Sequence, residues 1–474
     1  MVRELFSICF YVSMQARSLF LSRKSMQVQA CDQRGVSWWL ILTMLLALSG
    51  QVWLPCEMVC RADDWPQWRG PQRDGTWRET DLVKRLPSGA LPLLWRAKIS
   101  GGYSGPTIAD GRVYVSDRLL EADLQYEQIH CFDSQNGRLI WSYRYECPYV
   151  NIDHDAGPRA VVAISDQRAY ALGAMGDLVC LDAASGTVHW HHDLVALFNI
   201  RMPIWGLSCS PLIERDLVIL QIGGDDGACL VALDRITGKT RWKALDDGAS
   251  YSSPLVIEQA GRRVLVCWTG ERLVGLDPSN GAMYWQYRMP ETSWIRGAPS
   301  PVWHKDRLLI SGFFTGTMMF RLQQDQPEVE LLWHRRGPDE EHTDGIHASI
   351  AEPILVNNYI YGVDSFGQLR CLDAKTGDRV WENLNVIPQR RWSTLRLIPQ
   401  ERRVWVFTEL GELAIGRISP DGYEETSRAQ LIPPTRLQEP TRRDGVCCAY
   451  PAFANQCVFA RNDKELVCAS LKQP

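Results

Sequence analysis

The chain has 474 residues, 22% of them charged, a formal net charge of −4 and a pI near 6.2. That length suffices for one large or two ordinary domains with a substantial core. The even charge balance excludes a dedicated nucleic-acid binder, which would carry a basic face or stripe.

Residues 1–62 do not read as a folded domain. An apolar run from Val36 to Leu48 follows Arg34 and is closed by Ser49-Gly50 and Cys60-Arg61-Ala62. A short apolar core after a positive charge predicts a secretory signal peptide, cleaved near Ala62. Met14 or Met26 would give a more ordinary leader length. An uncleaved N-terminal anchor is the alternative, although the run is shorter than the roughly 20 apolar residues of a spanning helix. Cys56 follows Leu54-Pro55, a poor setting for lipidation. The expected location is therefore the periplasm or another extracytoplasmic compartment, with no integral span after cleavage.

Residues 63–90 form an N-terminal extension, and from residue 91 one unit recurs. Its core is a small residue, an apolar residue, Asp, two free positions, Ser/Thr/Asn, Gly, three free positions and Trp. The copies place Asp133, Gly137 and Trp141; Asp182, Gly186 and Trp190; Asp234, Gly238 and Trp242; Asp277, Gly281 and Trp285; and Asp373, Gly377 and Trp381. The Asp side chain binds local amides in an Asx-type turn, and Gly accepts the positive φ that the turn needs. Alternating apolar residues on either side make the turn a link between antiparallel strands. The Trp then falls on the outermost strand, where its ring can cover the seam to a neighbouring sheet. Two further strand candidates precede each turn, such as Arg112 to Ser116. Four short strands per unit is the composition of a propeller blade.

Spacing sets the count. Tryptophans at 95, 141, 190, 242, 285, 333 and 381 are separated by 46, 49, 52, 43, 48 and 48 residues. Trp333 belongs to a fifth blade whose turn is replaced by Gln323 to Pro327. A seventh, degenerate blade runs through Val404 to Phe407 and Glu412 to Ile418, with Asp421-Gly422 as its turn. Cys457 to Leu471 supplies strands without a closing Trp, and Trp95 lies in a closing strand with no blade before it. The prediction is an all-β, eight-bladed propeller over 91–474, a monomeric ring whose last blade is closed by the N-terminal strand.

The run from the small residue through Asp, Thr-Gly and Trp resembles the tryptophan-docking motif of pyrroloquinoline-quinone (PQQ) propellers. That family includes quinoprotein alcohol dehydrogenases and periplasmic scaffold lipoproteins of outer-membrane β-barrel assembly. The opening Asp63-Asp64-Trp65-Pro66-Gln67-Trp68-Arg69-Gly70-Pro71 is similar to the start of exported PQQ-like repeat proteins of planctomycete bacteria, as are Leu172 to Leu178 and Tyr251 to Pro254. The resemblance covers about residues 63–474 and implies fold and export; it carries no activity residue by residue.

Eight loops lead into the innermost strands and should share one face of the ring: 101–104, 153–159, 204–208, 249–252, 294–298, 342–348, 390–393 and 442–447. They bring Trp205, Trp294 and Trp392 towards Asp155, Arg159, Arg296, Asp344, His347 and Arg391. Polar groups and aromatics converging on one mouth are the default binding site. The other reading is that these loops only cap strands. A PQQ enzyme needs a flat platform, calcium held by oxygen ligands and a carboxylate base. Asn151, Asp153 and Asp155 offer oxygens, but a short acidic cluster reads first as a solvated loop. The family's dehydrogenases carry a vicinal cysteine pair near the quinone; Cys447-Cys448 is vicinal but lies in the last blade. No Cys-x-x-Cys-His haem site is present. His342 and His347 lack the helical spacing of a zinc pair. Eleven cysteines follow residue 62, an odd number, and Cys131, Cys180, Cys371 and Cys468 sit at the repeat's small position as buried hydrophobes. The leading expectation is a non-catalytic module binding a protein, peptide or saccharide at the funnel face, with no cofactor. A PQQ- and calcium-dependent dehydrogenase and a structural part of an envelope assembly complex are the alternatives.

Overall fold

In the first complete repeat, apolar residues line Thr107–Ala109, Arg112–Glu121, Leu124–Asp133 and Leu139–Glu146, and tight turns return the chain after each. These four strands form one antiparallel sheet in chain order. The computed structural model describes residues 64–290 and 297–473. Over them the motif repeats as eight four-stranded sheets, the blades of a β-propeller. A five-residue helix, Leu194–Phe198, is capped by the Asp193 carboxylate, which accepts from the Ala196 amide.

The eighth sheet joins the two ends of the ring. Strand β1 (Leu93–Lys98) lies antiparallel beside the final strand, Glu465–Ser470, and Trp95 pairs with Cys468. Cys131 pairs with Trp141, Cys180 with Trp190 and Cys371 with Trp381 in the same register. This pairing completes the fourth strand of the last blade and ties the two ends of the ring together, while each blade keeps only short strand edges.

The turns form as the residue types demand. The Asp182 carboxylate accepts the Ser185 amide at 2.8 Å, and Asp234 accepts that of Thr237 at 2.8 Å. The turn glycines have φ of 70–77°, a region that favours glycine. Except at the irregular fifth turn, the closing indole lies on the next blade's turn. Trp95 Nε1 donates to the Ser134 carbonyl at 2.9 Å, Trp141 to Ala183 at 3.1 Å, Trp242 to Pro278 at 3.1 Å and Trp333 to Ala374 at 3.0 Å. A Cβ on Gly186 would stand 2.7 Å from the Trp141 ring, so the turn needs glycine for contact as well as for φ. Where the fifth blade's turn is replaced, Gln259 intervenes. Its Oε1 accepts Trp285 Nε1 at 3.0 Å, and its amide donates to the Gln323 and Glu328 carbonyls.

The apolar core consists of wedges between neighbouring blades. The seventh blade has Ser427 opposite Ile415, beside the strand irregularity where other blades carry Trp. There the extension supplies the cover: Leu86 N donates to Ser427 Oγ at 2.9 Å, and Leu82, Leu86 and Leu91 are buried in the seam.

Residues 64–79 form a strap across the channel: its two ends meet the inner strands, and residues 68–73 reach positions that just precede them. Trp65 bridges to Ile108 in the first blade, and Pro66 accepts the Ile164 amide of the second at 2.8 Å. Arg73 donates to the Ser210 and Pro211 carbonyls of the third, and Trp68 Nε1 to Ser300 Oγ at the fifth. Arg69 faces Glu352 of the sixth at 3.8 Å, Trp77 N donates to Pro399 of the seventh, and Glu79 accepts the Asn455 amide of the eighth. Trp77, 1% exposed, packs against Trp405 and Phe453 at centroid distances of 5.3 and 4.9 Å.

Gly186 and Gly261 separate conformation from contact, since both have positive φ but nothing lies within 4 Å of a Cβ on Gly261. Gly261→Ala should cost only the left-handed penalty, about 1–2 kcal/mol. Gly186→Ala should add about 1–3 kcal/mol of overpacking. Urea unfolding of the two variants checks the order; equal losses would contradict the docking role of the turn.

Candidate functional site

The strap turns the central channel into a cup of about 240 Å³ that opens between the funnel loops. Its floor includes Trp68, whose indole stands edge-on to Tyr450 at 4.7 Å. Tyr103, Trp205, Tyr251, Phe313, Phe314 and Trp392 form much of the wall. Trp205 and Tyr251 lie 4.8 Å apart, and the Trp205 amide donates to the Tyr251 hydroxyl at 3.3 Å. Trp392 has φ of 63°, unusual for a bulky residue, and its amide is held by the Ser365 carbonyl at 2.7 Å. Strain of this kind persists only where the surroundings over-determine it, and it gathers at ligand sites.

The polar groups lie between these rings. Arg159 donates to the Gly157, Asp153 and His154 carbonyls and lies 5.2 Å from the Tyr103 ring. Arg396 rests 4.3 Å over the Tyr450 ring and donates to Thr394 Oγ1 and the Cys448 carbonyl, each at 2.9 Å. Arg442 faces Glu409 at 3.4 Å, and His154 faces Glu439 at 3.9 Å. Burial raises the Glu409 carboxyl above its ordinary range, against the pull of Arg442 and hydrogen bonds from Thr394 N and Ser393 Oγ.

Of the residues singled out from sequence, Arg159, Trp205 and Trp392 meet at this cup. Arg391 sits at its rim, 4.4 Å over Trp392 and paired with Glu340 at 2.7 Å. Asp155 turns to Arg118 at 3.1 Å with its side chain 64% exposed, and Asp344 is exposed; neither lines the cup. His347 is buried beneath the wall, its Nδ1 2.8 Å from the Phe313 carbonyl, and burial lowers its pKa. Trp294 and Arg296 lie outside the described residues. The signal-peptide expectation also falls on residues outside them.

Sequence reasoning missed Trp68, Arg396, Glu409 and Tyr450. Only Trp68 left a signal, an indole in a Trp-rich segment with no place in the repeat. The others lie on strands or beside strand ends rather than in the eight funnel loops.

A quinone with calcium finds only part of its setting here. Rings and guanidinium groups are present. Among the described residues, however, no group of three or more His, Cys, Asp or Glu is arranged to hold a metal. The cup's carboxylates, Glu409 and Glu439, already face Arg442 and His154. Calcium bound there through a carboxylate would have to share one that already faces Arg442 or His154. His342 is turned to the Asp339 carboxylate at 3.0 Å on the surface. The described cysteines are free thiols; Cys448 lines the cup, and burial pushes its pKa up to about 12.

The PQQ_2 family model, described as outer membrane protein assembly factor BamB, matches residues 125–383. That is more than half of the chain, and the protein belongs to this family. Among curated relatives, a quinohemoprotein alcohol dehydrogenase of Comamonas testosteroni is 24% identical over 215 residues, 43% of this chain and 28% of the relative. The outer membrane protein assembly factor BamB of Yersinia pestis is 23% identical over 220 residues, 45% of this chain and 53% of the relative. The chain thus spans about half or less of these relatives' lengths. The crystal structure of the Comamonas testosteroni enzyme superposes with a TM-score of 0.63 at 14% identity, covering 87% of this chain and 81% of that one. BamB from Moraxella catarrhalis gives 0.55 at 16% identity, covering 81% and 99%. At these identities the likeness establishes the fold alone.

The Arg442–Glu409 pair makes a pH-dependent prediction. Arg442→Gln would leave Glu409 buried without its cation, raising its folded pKa further above the unfolded value. A carboxyl shifted upward favours folding while protonated, and that contribution is lost as pH rises through the folded pKa. The variant should therefore lose more stability at pH 8 than at pH 5, by about 1–3 kcal/mol for a hydrogen bond to a charged group. Thermal unfolding at both values checks this; an equal loss at both would count against it.

Proposed function

We propose that the protein is a non-catalytic binding module acting outside the cytoplasm, with the cup as its ligand site. The observation that carries this reading is the aromatic-walled cavity of about 240 Å³, whose lining includes Trp68 of the strap. Concave apolar sites with a few placed polar groups are where proteins take small ligands or the protruding residue of a larger one. The candidate ligands are a protein or peptide segment and a saccharide. Relatives named as an outer membrane protein assembly factor support an envelope setting. Among the described residues, no helix is long and apolar enough to cross a membrane.

The test is a titration of intrinsic tryptophan fluorescence against a panel of saccharides and short peptides. Binding should perturb the cup indoles, and Trp205→Ala should weaken it by about tenfold or more, as loss of an aromatic anchor does. The same preparation mixed with PQQ and calcium should develop no visible band and no dye-linked alcohol oxidation. Alcohol oxidation after loading would overturn the binding reading in favour of a quinoprotein dehydrogenase.

A further inference from the structure

Among the described residues, the arginines in and under the cup outnumber the carboxylates. Arg69 faces Glu352 and Arg442 faces Glu409, while Glu439 faces His154 at 3.9 Å, a ring that matches its charge only when protonated. Among the described residues, Arg73, Arg159 and Arg396 have no carboxylate partner; their guanidinium groups are met by carbonyls, a hydroxyl and an amide oxygen. Arg396 is 4% exposed, and its Nε finds no acceptor. Arg73 lies one layer below, bonded to the carbonyl of Ser210, which itself lines the cup. Burying a cation without its counter-charge is costly, and low-dielectric walls focus the resulting field into the cavity. The cup is therefore built for an anion.

The remaining lining narrows the class. Ser208, Thr315, Ser349 and Thr394 bring hydroxyl groups, and Trp205 and Trp392 bring broad ring faces. At about 240 Å³ the space is below the ~300–1,000 Å³ of sites for drug-sized ligands, so one ring rather than an extended chain suits it. We propose that the cup binds an acidic saccharide residue, with its carboxylate drawn to Arg396 and Arg159 and its ring against the indoles. This rests on the reading of the cup as a binding site. A peptide C-terminus shares the carboxylate, but it makes less use of the ring faces and hydroxyls.

The test is calorimetric titration of the full chain with glucuronate, its neutral isostere glucuronamide, glucose, and an N-acetylated dipeptide with a free carboxylate. Glucuronate should bind at least about tenfold more tightly than glucuronamide, with an affinity that falls as salt rises. Arg396→Gln should largely remove that discrimination, while Arg396→Lys should keep part of it. Arg159→Gln, at the more exposed mouth, should reduce it and covers the case in which Arg396 variants do not fold. Equal affinity for glucuronate and glucuronamide would overturn the acid assignment while leaving the binding reading intact. Preference for the dipeptide would overturn the saccharide assignment. No heat from any of them overturns the proposal, and if the fluorescence panel is silent as well, the binding reading falls with it.

Discussion

The contact on which the ring depends is an indole laid on its neighbour's turn. A single side chain there does three things: it covers apolar surface at a seam, donates Nε1–H to a turn carbonyl, and occupies space that only glycine leaves free. Trp141 on Gly186 with the Ala183 carbonyl is the pattern, and Trp95 on Gly137 carries it across the junction of the two chain ends. Because the contact runs from one blade to the next, it sets blade spacing locally, and closure follows from repetition.

Where the pattern fails, other residues take over its tasks. Gln259 relays Trp285 to the irregular fifth turn, and Leu86 covers the seam where Ser427 stands without an indole. The second substitution comes from the extension, which continues the same work along the channel. Trp65 and Trp77 share one apolar cluster with strands of the first, seventh and eighth blades. The segment that covers a weak seam thus also closes the channel, and the cup exists because of it.

Blade number, strand order and the closing role of Trp95 were legible because a turn with Asp, Gly and Trp at set spacing has one structural meaning wherever it recurs. The cup was legible only in part. Arg159, Trp205 and Trp392 stand in loops between repeats, where departures from the pattern show. Arg396 lies inside a strand, where its alternation resembles that of any other strand residue. Asp155 looked equivalent to Arg159 in sequence, but Arg118 draws it outward, a pairing set by tertiary geometry. The strap's role was hidden because Arg69, Arg73 and Trp77 find partners more than a hundred residues away, with no periodicity to announce them.

Residues 64–79 act as an integral wall of the propeller rather than a loose leader to it. Amide hydrogen exchange on the full chain tests this directly. The amides of Trp65 and Trp77 donate to the carbonyls of Ile108 and Pro399 at 2.9 Å each. They should therefore exchange only through large-scale opening, as slowly as the inner strands they join. Exchange at the rate of exposed loops, with the inner strands still protected, would mean that the strap does not close the channel and that the cup has no floor.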